Sequence, residues 1–99
     1  MTQIKSIDAE DALDYIHINE CFLIDVRSAE EFSQGAIEGA VNIPLFELHL
    51  RADEIPVNRE IVVYCTHGVR SGKAAHLLLG DGFAKVGHIS GGLDEMDLY

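Results

Sequence analysis

The sequence predicts a single α/β domain built around a mostly parallel β-sheet. Two observations support this fold class. Short apolar runs alternate along the chain with amphipathic stretches, as they do where strands alternate with helices. The chain has 99 residues, of which 47% are hydrophobic, and this is enough for one hydrophobic core but not for two. We therefore expect residues 1–99 to form one domain.

The first predicted elements are a short strand, a helix and a buried strand. Residues 4–7 are typical of a short edge strand, and Asp8 follows them as the predicted N-cap of a helix. Apolar side chains recur at helical spacing between residues 12 and 16. Residues 21–24 form an uninterrupted apolar run, which predicts a buried strand that ends at Asp25.

The middle of the chain predicts two helices separated by a strand. Ser28 and Glu31 have the spacing of a capping box, in which each side chain accepts a hydrogen bond from the backbone of the other residue. This box opens a short helix that Gly35 ends. Residues 40–43 predict a short strand. The proline that follows suits the first turn of a helix, which we expect over residues 44–50.

The last third of the chain contains the clearest strand signal. Residues 61–64 are β-branched and aromatic without interruption, which favours a buried strand. An apolar helix face follows between residues 74 and 79, and Gly80 marks the end of that helix. Residues 85–89 predict the last strand. The pair Gly91-Gly92 then predicts a turn into an acidic C-terminal segment.

The chain is strongly acidic. Seven Lys and Arg residues stand against 17 Asp and Glu residues, so the formal net charge is −10 at pH 7. A protein of this charge repels nucleic acid and anionic membrane surfaces, and we expect neither as a partner. No stretch approaches the roughly 20 apolar residues of a membrane span. Acidic residues also stand where a signal peptide needs an apolar run, so we expect a cytoplasmic protein.

The spacings of cysteine and histidine exclude the common metal and dithiol motifs. Cys21 and Cys65 are the two cysteines of the chain, and neither belongs to a CxxC pair. The five histidines show neither HxxH nor HxxxH spacing. We therefore expect no bound metal. A single reactive thiol in a reducing compartment remains open.

The segment from Cys65 to Ser71 carries the strongest functional signal. The predicted buried strand ends at Cys65, and a short loop with Gly68 and Arg70 follows. Sites in α/β sheets form at the carboxyl ends of strands, where successive backbone N–H groups and a helix N-terminus bind an anion. We therefore predict that the sulfur of Cys65 is held as a thiolate. Arg70 can hold an anionic substrate at any pH, and Ser71 is a candidate cap of the next helix.

Each candidate residue also has a structural interpretation. A cysteine at a strand end is often a packing residue, and the functional argument for Cys65 depends on the Gly, Arg and Ser within six positions of it. Asp25 and Arg27 are interpreted as an ion pair that supports neighbouring loops. Cys21 has no basic neighbour in the sequence and is interpreted as a structural thiol. His67 could steer a substrate or simply face the solvent.

The loop resembles the active-site loop of the single-domain rhodaneses, a family of sulfurtransferases. The resemblance covers nearly the whole chain, from Ile7 to Gly92. It rests on several separated motifs that agree in order and spacing. They are Cys65-Thr66-His67-Gly68-Val69-Arg70-Ser71, Leu23-Ile24-Asp25-Val26-Arg27, Glu31-Phe32, Gly35, Ile37, Gly39-Ala40, Asn42-Ile43-Pro44 and Gly91-Gly92.

The resemblance implies a five-stranded parallel sheet with helices on both faces. It also implies that Cys65 accepts sulfane sulfur from a donor such as thiosulfate. The resulting persulfide would pass its sulfur to a nucleophile, such as cyanide or the thiol of a small molecule or protein. No cofactor is expected, and we expect a monomer. The residues expected to bind substrate and persulfide are Thr66, His67, Gly68, Val69, Arg70 and Ser71, with Asp25 and Arg27 in support.

Two other functions remain open. Phosphatases and arsenate reductases also use a Cys-to-Arg loop, but they place five residues between the two to cradle a tetrahedral oxyanion. Here four residues separate Cys65 from Arg70, and the smaller ring suits one sulfur atom better. A non-catalytic binding module could keep the same fold, although this chain has both the cysteine and the arginine. We therefore favour a sulfurtransferase.

Overall fold

The computed structural model describes residues 4–96. Five strands form one sheet with the spatial order β1-β5-β4-β2-β3, and every strand pairing in it is parallel. The fold class expected from the sequence is thus confirmed. The strands are β1 (Lys5–Asp8), β2 (Phe22–Asp25), β3 (Val41–Asn42), β4 (Ile61–Tyr64) and β5 (Val86–Ser90).

Helices connect the strands, as parallel pairing requires. Short 3₁₀ turns cover Leu45–Glu47, Ala52–Glu54 and Leu93–Glu95. The α-helices are α1 (Ala12–Ile18), α2 (Ala29–Ser33) and α3 (Val69–Gly80).

The alternation of side chains along β4 divides the core between the two faces of the sheet. All four residues of this central strand are buried. Ile61 and Val63 belong to a cluster that includes Ala75 of α3, whereas Val62 packs in a second cluster with Ala12 of α1. Helices therefore cover both faces of the sheet, as the resemblance implied.

Two of the local predictions are wrong. Asp8 is the last residue of β1 and caps no helix, because α1 begins only at Ala12, after Asp11. The helix expected over residues 44–50 is a 3₁₀ turn that ends at Glu47. The N–H of Leu45 donates to the carbonyl of Val26, at an N···O distance of 3.1 Å. The N–H groups of Glu47 and Leu48 donate to carbonyls three positions back, those of Pro44 and Leu45, at 2.8 and 3.3 Å, so the segment winds as a 3₁₀ turn and not as an α-helix.

The capping box predicted at the start of α2 is confirmed. The N–H of Glu31 donates to the Ser28 hydroxyl at 3.1 Å, and the N–H of Ser28 donates to the Glu31 carboxylate at 3.1 Å. Between residues 4 and 96, no helix is both long and apolar enough to cross a membrane.

Candidate active site

Cys65 lies directly after β4, at the carboxyl end of the central part of the sheet. Only 1% of its surface is exposed. Residues 66–68 form the loop itself, and α3 begins at Val69. Gly68 has a φ of +96°, a left-handed conformation that favours glycine and turns the chain into the helix. The thiol is thus held between the end of a strand and the N-terminus of a 12-residue helix.

Backbone N–H groups of this loop point at the sulfur. The N–H of Gly68 donates to Cys65 Sγ at 3.1 Å, and the N–H of Ser71 donates to it at 3.2 Å. The Ser71 hydroxyl oxygen lies 3.6 Å from the same sulfur. Burial raises the pKa of the Cys65 thiol, but hydrogen bonds from Ser71, Gly68 and His67 lower it, and the net pKa is below the ordinary value. The loop therefore favours the thiolate.

Ser71 has a different position from the one expected. It is the third residue of α3, and its hydroxyl donates to the carbonyl of Gly68 at 3.1 Å. The predicted role of Ser71 as the helix cap is therefore wrong, because Gly68 turns the chain into the helix three residues earlier. The Ser71 hydroxyl also lies 3.3 Å from Nδ1 of the half-buried His88 on β5.

The turn at Gly91-Gly92 holds the other side of the loop. The N–H of Leu93 donates to the carbonyl of Cys65 at 2.8 Å, and the N–H of Asp94 donates to the carbonyl of Thr66 at 2.9 Å. A Cβ atom on Gly92 would lie 2.5 Å from both of those carbonyl oxygens. The close approach of the two backbones therefore requires glycine at this position.

Arg70 is paired with Glu31 of α2. The carboxylate accepts two hydrogen bonds from the guanidinium, from Nη1 at 2.7 Å and from Nη2 at 3.0 Å. Nη2 also donates to Thr66 Oγ1 at 3.3 Å. Arg70 and the backbone of Ser28 hold the pKa of the Glu31 carboxyl well below its usual range. The guanidinium that the sequence suggested for substrate is thus already engaged by a carboxylate.

Asp25 and Arg27 form the ion pair that the sequence suggested. Arg27 Nη2 donates to Asp25 Oδ2 at 2.7 Å, and both side chains are buried. Nη2 also donates to the carbonyl of Gly35 at 2.7 Å. The amide of Asn42 donates to the carbonyls of Asp25 and Arg27, at 3.0 Å each. The pair therefore fixes the chain on both sides of α2, next to the Cys65 loop.

The other loop side chains are exposed. His67 Nδ1 lies 3.4 Å from the Asp94 carboxylate, and both of these side chains are more than half exposed. Val69 is 66% exposed and faces away from the core. Three acidic side chains outside the loop could share an ion because their oxygens lie within 4.8 Å of one another, namely Asp8, Glu10 and Asp11. All three are exposed, and acidic groups of this kind are common without an ion.

A cavity of about 550 Å³ opens beside the loop. Thr66 and Glu31 line one part of it, and Arg27, Asp94 and Met96 line another. A larger cavity of about 790 Å³ lies near Glu20, Arg59 and Lys85, which precede β2, β4 and β5. That cavity is at the amino ends of the strands, away from Cys65. The smaller cavity is therefore the candidate substrate site.

Sequence reasoning missed two residues near Cys65. The sequence predicts Glu31 as part of the capping box and of the family motifs but not as the partner of Arg70, because that contact spans 39 positions. His88 belongs to no spacing motif in the sequence, and its contact with Ser71 depends on β5 lying next to β4. No local pattern could have predicted either pairing.

Comparisons with known proteins agree with this geometry. Residues 8–97 match the family model described as Rhodanese-like domain. A sulfurtransferase of Allochromatium vinosum is 33% identical over 91 residues, which cover 91% of this chain and 85% of that protein. A rhodanese-like domain protein from Staphylococcus aureus has a similar structure, with a TM-score of 0.84 and 27% identity over 95% of this chain and 92% of that one.

A larger enzyme contains a similar unit. The structure of an NAD-dependent persulfide reductase from A. fulgidus matches with a TM-score of 0.74 and 36% identity. The match covers 92% of this chain but only 15% of the reductase chain.

Proposed function

The chain belongs to the rhodanese-like family of sulfurtransferases, and from this premise we propose that it carries sulfur as a persulfide on Cys65. A sulfane-sulfur donor such as thiosulfate loads the cysteine. A nucleophilic acceptor, either cyanide or the thiol of a small molecule or protein, unloads it. The observation that supports this most directly is the pair of backbone N–H groups at 3.1 and 3.2 Å from Cys65 Sγ.

The proposed reaction has two displacement steps at sulfur. In the first, the Cys65 thiolate attacks the outer sulfur of thiosulfate. A new Sγ–S bond forms, the S–S bond of thiosulfate breaks, and sulfite leaves with the electron pair. In the second, the acceptor attacks the terminal sulfur of the persulfide, and Cys65 leaves as the thiolate. Each step begins and ends with one negative charge on the cysteine.

The loop stabilises that charge in both states. The N–H groups of Gly68 and Ser71 are fixed by the backbone, so they need no rearrangement when the charge moves from Sγ to the terminal sulfur. The N-terminus of α3 adds its partial positive charge. The neighbouring cavity of about 550 Å³ provides room for the donor and the acceptor.

The two alternatives receive less support. A phosphatase of this loop type has five residues between its cysteine and its arginine, whereas four lie here, and both terminal nitrogens of Arg70 are bound to Glu31. A non-catalytic module has no need for a thiol whose pKa is lowered by three backbone N–H groups and a hydroxyl. An NAD-dependent persulfide reductase contains a similar unit, and from such relatives we carry over only sulfur donors and acceptors in general as partners.

Mass spectrometry of the loaded protein tests the proposal. The protein is treated with thiosulfate, alkylated, and digested with trypsin without reductant. Cleavage at Arg and Lys places Cys65 in the peptide of residues 60–70 and Cys21 in that of residues 6–27. We expect a gain of one sulfur atom on the first peptide only.

Matched variants complete this test. Cys65→Ser should abolish the transfer of sulfur from thiosulfate to cyanide, and Cys21→Ser should keep most of it. Full activity in the Cys65→Ser protein would refute the assignment. Efficient turnover of an aryl phosphate that is lost in Cys65→Ser would show a phosphatase instead.

A further inference from the structure

The ion pair between Glu31 and Arg70 occupies the guanidinium that directly follows the Cys65 loop in the chain. It is a bidentate pair, in which both carboxylate oxygens accept from the two terminal nitrogens of the guanidinium. Such fork-to-fork pairs are among the strongest between side chains. The side chains of Arg70 and Glu31 are 38% and 34% exposed, so a small ion can reach both from the solvent, and Glu31 also lines the cavity.

The remaining charges around the cavity provide no replacement for Arg70. Arg27 lines the cavity, but Asp25 neutralises it within a buried pair. Asp94 lines the same cavity and adds a negative charge. Among the described residues that line this cavity, none is a cation without a carboxylate partner. An anion that approaches through this cavity therefore meets side chains whose charges are neutralised or negative, and only the backbone N–H groups of the loop attract it.

We propose that Glu31 determines the charge of the sulfur donor: by occupying Arg70, it disfavours the thiosulfate dianion and favours sulfane-sulfur donors that carry at most one negative charge. This inference rests on the proposed function and specifies the substrate class for the same site. The preferred donors are persulfides of neutral or cationic thiols and singly charged thiosulfonates. The chemical step is unchanged, since the donor's S–S bond breaks and its leaving group departs with the electron pair.

The energetic argument concerns competition for one guanidinium. A dianion can bind Arg70 only if it displaces Glu31, which then loses two charge-assisted hydrogen bonds and stays beside the dianion as a third negative charge. A displaced Glu31 still carries its negative charge at neutral pH, because the ordinary pKa of a Glu carboxyl is about 4.3 and the Ser28 N–H continues to donate to it. A donor with one charge less experiences a weaker repulsion at every distance, since Coulomb energy scales with the product of the charges.

Glu31→Gln is the variant that isolates this effect. Glutamine keeps a carbonyl oxygen that can accept from the Ser28 N–H, so the capping box is preserved. The matched control is Glu30→Gln, which removes the same charge from the same turn of α2, at an exposed side chain that is not paired with Arg70. A change that comes from net charge alone would be equal in the two variants.

The experiment compares two donors that transfer the same sulfur with different charge, thiosulfate and the methanethiosulfonate monoanion. Loading of Cys65 is followed in single-turnover reactions at constant ionic strength. The measured quantity is the ratio of the loading rate with thiosulfate to the loading rate with methanethiosulfonate. In the Glu31→Gln protein we expect this ratio to rise about tenfold, because the charge-assisted pair that occupies Arg70 is released. In the Glu30→Gln protein the ratio should change by less than about twofold, because exposed charges are largely screened.

A second measurement needs no sulfur transfer. Sulfate is an unreactive dianion, and it should protect Cys65 from iodoacetamide at about tenfold lower concentration in Glu31→Gln than in the wild type. An unchanged donor ratio together with unchanged sulfate protection would overturn the inference. If neither donor loads any variant, the proposed function fails, and sulfate protection alone then decides whether Glu31 excludes dianions. Thermal unfolding curves confirm that the compared variants are folded.

Discussion

The two cysteines of this chain are both buried, yet their sulfur atoms have different surroundings. Cys21 precedes β2, where burial and the nearby Glu60 raise the pKa of its thiol to about 11. The Arg59 guanidinium contacts the Cys21 carbonyl and opposes this shift only in part. Cys65 is just as buried but receives N–H groups from its loop, and its pKa is lowered. Hydrogen bonding to the charged form therefore decides the difference, and burial does not.

We predict that alkylation by iodoacetamide distinguishes the two thiols. The thiolate is the form that reacts, so a thiol with a lower pKa has the midpoint of its profile of alkylation rate against pH at a lower pH. The Cys65 midpoint should lie below the unperturbed value of about 8.5, and Cys21 should stay slow until the pH approaches about 11. Mass spectrometry of the two peptides follows each site separately. Coincident pH profiles would show that the loop does not activate its thiol.

Arg70 contributes a charge whose effect depends on the step of the reaction. Arg70→Ala removes the cation and leaves the Glu31 carboxylate unpaired at the edge of the cavity. We predict that the activation barrier for loading from thiosulfate rises by about 2 kcal/mol, roughly the Coulomb repulsion between one carboxylate and a dianion 4 Å away in water-like surroundings. Arg70→Lys should slow loading less than Arg70→Ala does, because lysine keeps the positive charge beside Glu31 although it lacks the planar guanidinium.

Single-turnover kinetics separates this role from a structural one. Discharge of the loaded persulfide to cyanide should slow less than loading does, because cyanide carries one negative charge and the uncompensated Glu31 carboxylate repels it less than it repels thiosulfate. Circular dichroism confirms that the variants are folded. If Arg70→Ala slows both half-reactions equally, Arg70 holds the loop and does not select the donor.

At the scale of single elements, the turn after β5 is as much a part of the site as the loop it contacts. Gly92 adopts φ +68° and ψ −164°, a region of backbone conformation that is essentially restricted to glycine. Its backbone lies against the carbonyls of Cys65 and Thr66, and the two following N–H groups bond to those carbonyls. The glycine pair thus holds the Cys65 loop from the opposite side to α3.

We predict that Gly92→Ala damages both stability and activity. The strained backbone alone costs on the order of 1–3 kcal/mol, and the new Cβ at 2.5 Å from two carbonyl oxygens forces the loop to move. The matched control is Gly72→Ala inside α3, where a Cβ meets nothing within 4 Å and helix propensity adds about 0.5–1 kcal/mol of stability. Urea unfolding and thiosulfate loading measure the two effects. A Gly92→Ala protein with unchanged stability and loading would contradict the proposed support.

The net charge of the whole molecule disfavours the approach of an anionic sulfur donor. The formal net charge of −10 repels any anionic donor at long range, whereas the N–H groups at Cys65 attract it only at contact. Salt weakens the long-range repulsion far more than the attraction at contact, because the Debye length falls from about 30 Å at 0.01 M to about 8 Å at 0.15 M.

We therefore predict that kcat/KM for thiosulfate rises several-fold between about 0.01 and 0.15 M sodium chloride. The control is alkylation of Cys65 by uncharged iodoacetamide, whose rate should change little over the same range. A thiosulfate kcat/KM that falls with salt would show that local positive charge dominates the approach. That result would also argue against a neutralised Arg70.

Several features of this protein could be predicted from local patterns in the sequence. The β-branched run of β4, the glycine after Cys65 and the Ser28–Glu31 box each indicate their structure without reference to the rest of the chain. Apolar periodicity, turn conformation and capping hydrogen bonds involve residues only a few positions apart. For the same reason the strands, the major helices and the position of Cys65 at a strand end follow from the sequence.

Other features were decided only by the tertiary structure. Arg70 meets Glu31 across 39 positions, and Gly92 meets the Cys65 loop across 27. Both contacts exist because the strand order places β5 and β2 on either side of β4, so that segments far apart in the chain share one edge of the sheet. The sequence by itself determined that Cys65 would follow a buried strand and precede a helix. Only the folded chain decided that Glu31 pairs with Arg70 next to Cys65, because contacts between residues far apart in the chain depend on tertiary packing that no local pattern encodes.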